Sequence, residues 1–219
     1  MLKKLTVAFI AIAALTLSQV AAMAQEAAGV VEKMRGAAFQ RADGATKPLS
    51  VGATVHAGDL VTTAEDARLL IRFADQSSLT MGELAQLTID ELVYVPAGRE
   101  PEKGEQTLKF VKGVFQYVSG KIAHSDTTQV SLNTPVATIG IRGTRLLAGE
   151  LQVGMPPGQP HYGFQILEGA IDVIAPLGTV TLDEPGEGTF LPLTRQAAPT
   201  PVRQWTAEEA AEAADAVRF

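Results

Sequence analysis

Cysteine is absent from all 219 residues. An exported chain without it has no disulfide framework, no thiol nucleophile, no cysteine-held metal and no cysteine for lipid attachment. Aromatic residues make up only 5%, so the core has to be aliphatic. Basic charge is also short: 18 Lys and Arg against 24 Asp and Glu, a formal net charge of −6. Such a surface does not attract nucleic acid or anionic lipid, and no basic stripe is present to reverse that. No apolar run reaches the ~20 residues of a membrane span.

Chemical motifs are missing as well. The three histidines, His56, His124 and His161, include no pair four residues apart, and zinc sites usually show local ligand spacing. No serine sits in a Gly-x-Ser-x-Gly elbow. No glycine-rich loop leads from a strand into a helix. The carboxylate pairs Glu65/Asp66, Asp90/Glu91, Asp183/Glu184 and Glu208/Glu209 fall in predicted turns or on a helix surface, where solvation explains them. We therefore expect no catalytic residues, no metal and no cofactor.

The first 24 residues have the order of a cleavable signal peptide. Lys3 and Lys4 are followed by an apolar stretch from Leu5 to Leu17 and then by Ala22-Met23-Ala24, a small-x-small cleavage site. Without this segment 16 basic and 24 acidic residues remain, a net of −8. The expectation is a periplasmic or secreted chain with no membrane span after cleavage.

The remainder is punctuated by 20 Gly and 12 Pro. Hydrophobic residues alternate with polar ones from Leu79 to Leu92, as on a sheet with one wet face. Asp43-Gly44, Gly58-Asp59 and Ala74 to Ser77 are turn signals. Leu49 to Gly52 reads as a piece of strand, Pro96 to Gln106 as a polar loop, and Glu150 to His161 as a Gly/Pro-rich excursion. Val111 to Val118 is echoed by Leu167 to Ile174: apolar, charged, Gly, two apolar, polar, two apolar. Repeated strand–glycine–strand units suggest stacking. The predicted fold is all-β, a β-solenoid or roll of short stacked strands, with a β-sandwich as the competing arrangement. One C-terminal helix follows a Pro-rich stretch, Ala197 to Pro201. Thr206 and Glu209 stand at capping-box positions, with Trp205, Val217 and Phe219 available to dock it. The chain divides into residues 1–24 as signal peptide, 25–195 as β domain, and 196–219 as linker and helix.

Ser131 to Thr144 (SLNTPVATIGIRGT) organises the rest. Pro135 fixes φ and removes a donor, which suits a strand start. Val136, Ile139 and Ile141 supply β-branched bulk. Gly140 marks a bulge or a close backbone approach, and Arg142-Gly143-Thr144 reads as a turn. Within it, Asn133 to Thr144 (NTPVATIGIRGT) resembles the signature of the FecR domain, a β-rich extracytoplasmic module. The resemblance extends through Val51–Thr63, Leu69–Met81 and Phe164–Val173, over roughly residues 28–195. The family usually has Asp-Gly-Ser where this chain has Asp75-Gln76-Ser77.

The resemblance implies a fold motif at Thr134, Pro135, Gly140, Arg142, Gly143 and Thr144, structural or in contact with a partner. It also implies a non-catalytic signal relay. Well-known members are transmembrane regulators of sigma factors with a cytoplasmic region before the span. Little precedes the apolar run here, so direct contact with a cytoplasmic sigma factor is not expected. The expected partner is an envelope protein, met through an exposed strand edge. The alternative is a carbohydrate or cell-envelope polymer, which would want Tyr94, Tyr162 and Trp205 clustered and exposed.

Expressed with its own leader, the chain should be recovered outside the cytoplasm with Gln25 as its first residue. An intact mass that retains Met1 would overturn the leader assignment.

Overall fold

A computed structural model of the chain describes residues 27–95, 103–124, 129–156, 158–194 and 196–219. The signal-peptide segment lies outside them, as do residues 96–102 of the expected polar loop.

Sixteen strands, one α-helix and one short 3-10 helix (Ile122–His124) are present among the described residues. The strands are joined by pairing into one curled sheet, so the all-β expectation holds. One wing runs through β3 (Ala45–Pro48), β2 (Ala38–Ala42), β5 (Leu60–Thr63), β8 (Gln86–Val95), β9 (Lys103–Lys112) and β11 (Gln129–Asn133) to the first half of β12 (Thr138–Leu151). The other runs through β4 (Thr54–His56), β1 (Ala27–Arg35), β6 (Arg68–Phe73), β7 (Ser78–Met81) and β10 (Val114–Val118) to the second half of β12. The long antiparallel partner of β12, β13 (His161–Ala175), continues both wings. Its first half pairs with β15 (Glu187–Pro192), which pairs with β16 (Arg203–Gln204). Its second half pairs with β14 (Gly178–Leu182).

Several crossings between wings are made at glycine corners. Gly36, Gly113, Gly143 and Gly169 all have positive φ. The two glycines of the sequence echo, Gly113 and Gly169, are both such corners. At Gly169 a Cβ would stand 2.0 Å from the Gly143 carbonyl oxygen, so no side chain fits. A solenoid describes this shape only loosely, because the strand pairs are antiparallel except β9 with β11 and form one curled sheet; one buried cluster is shared by both wings. It contains Val31 and Ile71 from one wing with Leu87, Ile89 and Leu132 from the other.

A buried polar network crosses that core. The Ser77 hydroxyl donates to Asp75 Oδ1 (2.6 Å), Gln106 Nε2 donates to Ser77 Oγ (3.2 Å), and the Tyr117 hydroxyl donates to Gln106 Oε1 (2.5 Å). Burial pushes the Tyr117 phenol well above its ordinary range, and the nearby Asp75 charge adds to this. The hydroxyl therefore stays a neutral donor. Gln106 comes from one wing and the other three from the opposite one, so the network fixes how the wings face.

Several local expectations need correction. Lys103 to Gln106, expected in a loop, begins β9, which pairs in parallel with β11. Residues 49–52 turn between β3 and β4 rather than forming a strand. Arg142-Gly143-Thr144 is a bulge inside β12, not a turn. Gly140 is in regular register opposite Asp172, so the bulge falls two residues later than the glycine expected to mark it. The Gly/Pro-rich excursion is shorter than expected, since β12 runs to Leu151 and β13 starts at His161. The stretch around Thr200 lies against β15: the Phe190 amide donates to Thr200 Oγ1 (2.9 Å) and the Thr200 amide to the Phe190 carbonyl (3.0 Å).

Gln76 occupies a left-handed conformation (φ 71°) in the β6–β7 turn, where the family pattern has glycine. Left-handed backbone costs a side-chain-bearing residue about 1–2 kcal/mol, partly offset by the chain entropy of glycine. Gln76→Gly should therefore raise stability by roughly 1 kcal/mol, read as a higher Tm. A lower Tm would show that the Gln76 side chain contributes more than its backbone costs.

Candidate functional site

The motif residues come together on one bent hairpin. Thr134 and Pro135 form the turn before β12. The Thr134 hydroxyl accepts from the Ala137 amide (3.0 Å) and donates to the Ala137 carbonyl (2.8 Å), while its amide donates to the same carbonyl (2.9 Å). Pro135 is exposed at the tip. Beside it lies a cavity of about 240 Å³ lined by Val136, Pro176, Leu191 and Leu193.

Gly143 and Thr144 build the corner. The buried Thr144 hydroxyl donates to the Ala170 carbonyl (2.7 Å), and the Thr144 amide donates to Ser119 Oγ (2.7 Å). Both residues are spent on bending the strand.

Gly140 and Arg142 are different. They share the outer face of the first wing with Thr138, because alternate residues of a strand point the same way. Ser131 and Asp172 flank Gly140 on the neighbouring strands. Arg142 pairs with Asp172 (Nη2 to Oδ2, 3.0 Å) yet its side chain stays 80% exposed. The Thr181 hydroxyl of β14 donates to the other Asp172 oxygen (2.7 Å). A Cβ placed on Gly140 would meet only the Asp172 Cβ, at 3.9 Å. Nothing inside the fold demands glycine there. Asp172 and Thr181 escaped the sequence reading, although the alternation Ile171, Val173 against Asp172, Ile174 could have placed Asp172 outside.

A second surface surrounds α1 (Ala207–Ala216). The helix covers a satellite cluster of Val114, Leu147, Leu151, Phe190, Trp205, Ala213 and Val217. Both halves of the capping box form. Arg203 reaches Glu209 with two hydrogen bonds, of 2.8 and 2.5 Å. That guanidinium, helped by the Thr206 backbone amide, holds the Glu209 carboxyl down at about 2 against the opposing effect of burial. The helix has no basic residue in its last turn. Arg68 of β6 supplies one from the sheet, with Nη2 3.5 Å from the Asp215 carbonyl, where a cation complements the helix dipole.

A cavity of about 520 Å³ lies along this seam, lined by Arg68, Glu83, Leu84, Lys112, Glu150 and Glu212 among others. Two of its acids are already engaged: Glu83 accepts from the Asp66 amide (2.7 Å), and Glu212 from the amides of Gln152 (2.6 Å) and Val153 (3.0 Å). This is a helix-docking seam rather than a pair of acids facing one cleft.

The aromatic platform expected of a polymer binder does not form from Tyr94, Tyr162 and Trp205. Tyr162 is fully buried, and Trp205 stacks on Phe190 with ring centroids 4.9 Å apart. His161 is buried with its ring nitrogens against the carbonyls of Gln159 (2.8 Å) and Val153 (2.6 Å), a structural placement. Among the described residues no group of three or more His, Cys, Asp or Glu stands ready for a metal ion. No described helix is long and apolar enough to cross a membrane.

A family model described as FecR protein matches residues 59–171, more than half of the chain and the whole span from the β4–β5 turn to the corner hairpin. The chain belongs to the FecR family. Two crystal structures of a candidate anti-sigma factor from Parabacteroides distasonis ATCC 8503 have the same fold, with TM-scores of 0.50 and 0.51 at 10% identity. The match covers 69% of this chain and 62% of theirs, so this FecR chain spans less than two thirds of those proteins. No curated protein matches it.

The depressed Glu209 value makes helix docking sensitive to acid. Its ordinary value is near 4.5, so its contribution is complete above that pH and is lost as pH falls toward about 2. Fluorescence of Trp205, the single tryptophan, should report this acid step. Glu209→Gln should remove it; an unchanged acid transition in that variant would overturn the assignment.

Proposed function

We propose that this FecR protein is a non-catalytic, exported module that relays a signal in the cell envelope by protein–protein contact. Three observations support the reading: family membership, the fold likeness to a candidate anti-sigma factor, and the signal-peptide order of residues 1–24. On this reading residues 25–195 are the contact module, and residues 196–219 add the helix that seals its satellite cluster.

Gly140 carries the proposal. Interior strand glycine costs stability, up to about 1 kcal/mol against alanine, and is kept where a bulge or a close backbone approach needs it. Here the bulge is elsewhere, and the place where a side chain would stand is open and crowds no backbone. The remaining reason for a missing side chain is on the outside. There it leaves a shallow floor between Ser131 and Asp172, with Arg142 at its rim as a carboxylate fork. A flat polar face of this kind suits another protein better than a small molecule, which prefers a concave site.

Gly140→Ala should fold with an equal or higher Tm. Gly140→Gln should fold too, yet capture at least tenfold less of its partner from a cell-envelope extract, with wild-type crosslinks mapping to the Ser131–Asp172 face. Undiminished capture by Gly140→Gln would sink the proposal. Retention on cell-wall polysaccharide, with no protein crosslinked, would replace it by the polymer-binding reading.

A further inference from the structure

Every open sheet has edges, and three of the four terminal strands here are blunted. β3 carries Lys47 and Pro48, the residues that discourage strand addition. β4 has three residues and β16 has two. β14 is the exception: Gly-Thr-Val-Thr-Leu, five residues with neither charge nor proline.

The direction of its free groups follows from its hairpin. Pro176 and Leu177 form a two-residue turn, with Ala175 opposite Gly178. In such an antiparallel pair the residues flanking the turn bond to each other, and alternate residues follow suit. Gly178, Val180 and Leu182 therefore bond inward to β13. Thr179 and Thr181 turn their amides and carbonyls outward, and β14 pairs with no strand but β13 among the described residues.

The two ends of this edge differ chemically. At its start Leu177 is 62% exposed, and nearby Ile174 is 48% exposed. At its end come Asp183 and Glu184, both exposed and in no ion pair among the described residues. The edge is apolar at one end and anionic at the other.

We propose that β14 accepts an antiparallel strand from a second protein, a segment that begins with basic residues over Asp183 and Glu184 and ends with apolar residues over Ile174 and Leu177. This rests on the protein-contact reading above and names the partner's chemistry. Antiparallel addition repeats the β13–β14 geometry and is the stronger ladder per residue. Backbone bonds supply affinity and the polarised ends supply orientation. A second copy of this chain fits worse. Symmetric pairing of Thr179 with Thr181 would set Asp183 of one copy against Leu177 of the other, and each copy is a net anion.

The test uses fluorescein-labelled peptides of the sequence Lys-Lys-Thr-Val-Thr-Val-Leu, its reversed order, and a version with Glu in place of Lys. Anisotropy with the folded protein should rank the first at least tenfold tighter than the other two, with binding weakened by salt. Its binding should slow hydrogen exchange at the Thr179 and Thr181 amides. Thr179→Pro, which removes an outward amide, should abolish binding. Asp183→Lys with Glu184→Lys, a surface change, should shift preference to the Glu peptide. Equal binding of all three peptides, no exchange protection, or a β14-dependent dimer in light scattering would each overturn the proposal. Those outcomes with capture still sensitive to Gly140→Gln would leave the protein-contact reading standing; loss of both would end it.

Discussion

The corner between Gly143 and Gly169 is the constraint on which the rest depends. Two strands of fourteen and fifteen residues are paired along their length, and both must bend at one level. The approach of Gly169 to the Gly143 carbonyl leaves no room for a Cβ, and the Thr144 hydroxyl clamps the bend to Ala170. Below the corner Ile141 and Ile171 face the core from one wing; above it Leu146 and Ile166 face it from the other. A straight hairpin could serve only one wing, and the shared core would open.

Much of this was legible because its causes are local. Alternation exposed the strands around Leu69 to Phe73 and Leu79 to Leu92. Glycine in a repeated setting exposed the corners at Gly113 and Gly169. The spacing of Thr206 and Glu209 exposed the helix start. The rest depends on partners far away in the chain. The parallel pairing of β9 with β11 has no local signature, so Lys103 to Gln106 read as loop. The burial of Tyr162 is decided by strands on both sides of it. Arg68 serves a helix end 147 residues later, and nothing near residue 68 announces that.

The motif's glycines also look alike in sequence and differ in structure. Gly143 has a positive φ and sits in a bulge, whereas Gly140 is regular strand with open space on its outer face. The sequence offered a bulge or a close backbone approach at Gly140 and a turn at Gly143, because both lie in the same run and only register and backbone conformation separate them. That difference divides the motif into labour for the fold (Thr134, Gly143, Thr144) and a residual surface (Gly140, Arg142). Fold-bearing residues account for a family signature without implying a site; the surface residues do not have that explanation.

A core of this kind constrains how a relay can work. With no disulfide, the wings are held by close aliphatic packing, by the Asp75–Ser77–Gln106–Tyr117 network and by the corner. Packed cores have discrete arrangements rather than a continuous range. A contact of the kind proposed at Gly140 or at β14 would therefore be better transmitted as recruitment, one protein holding another in place, than as a deformation passing through the sheet. The same rigidity would serve the proposed surface. A floor without a side chain and an edge with fixed outward amides are recognition features only when the strands behind them do not move.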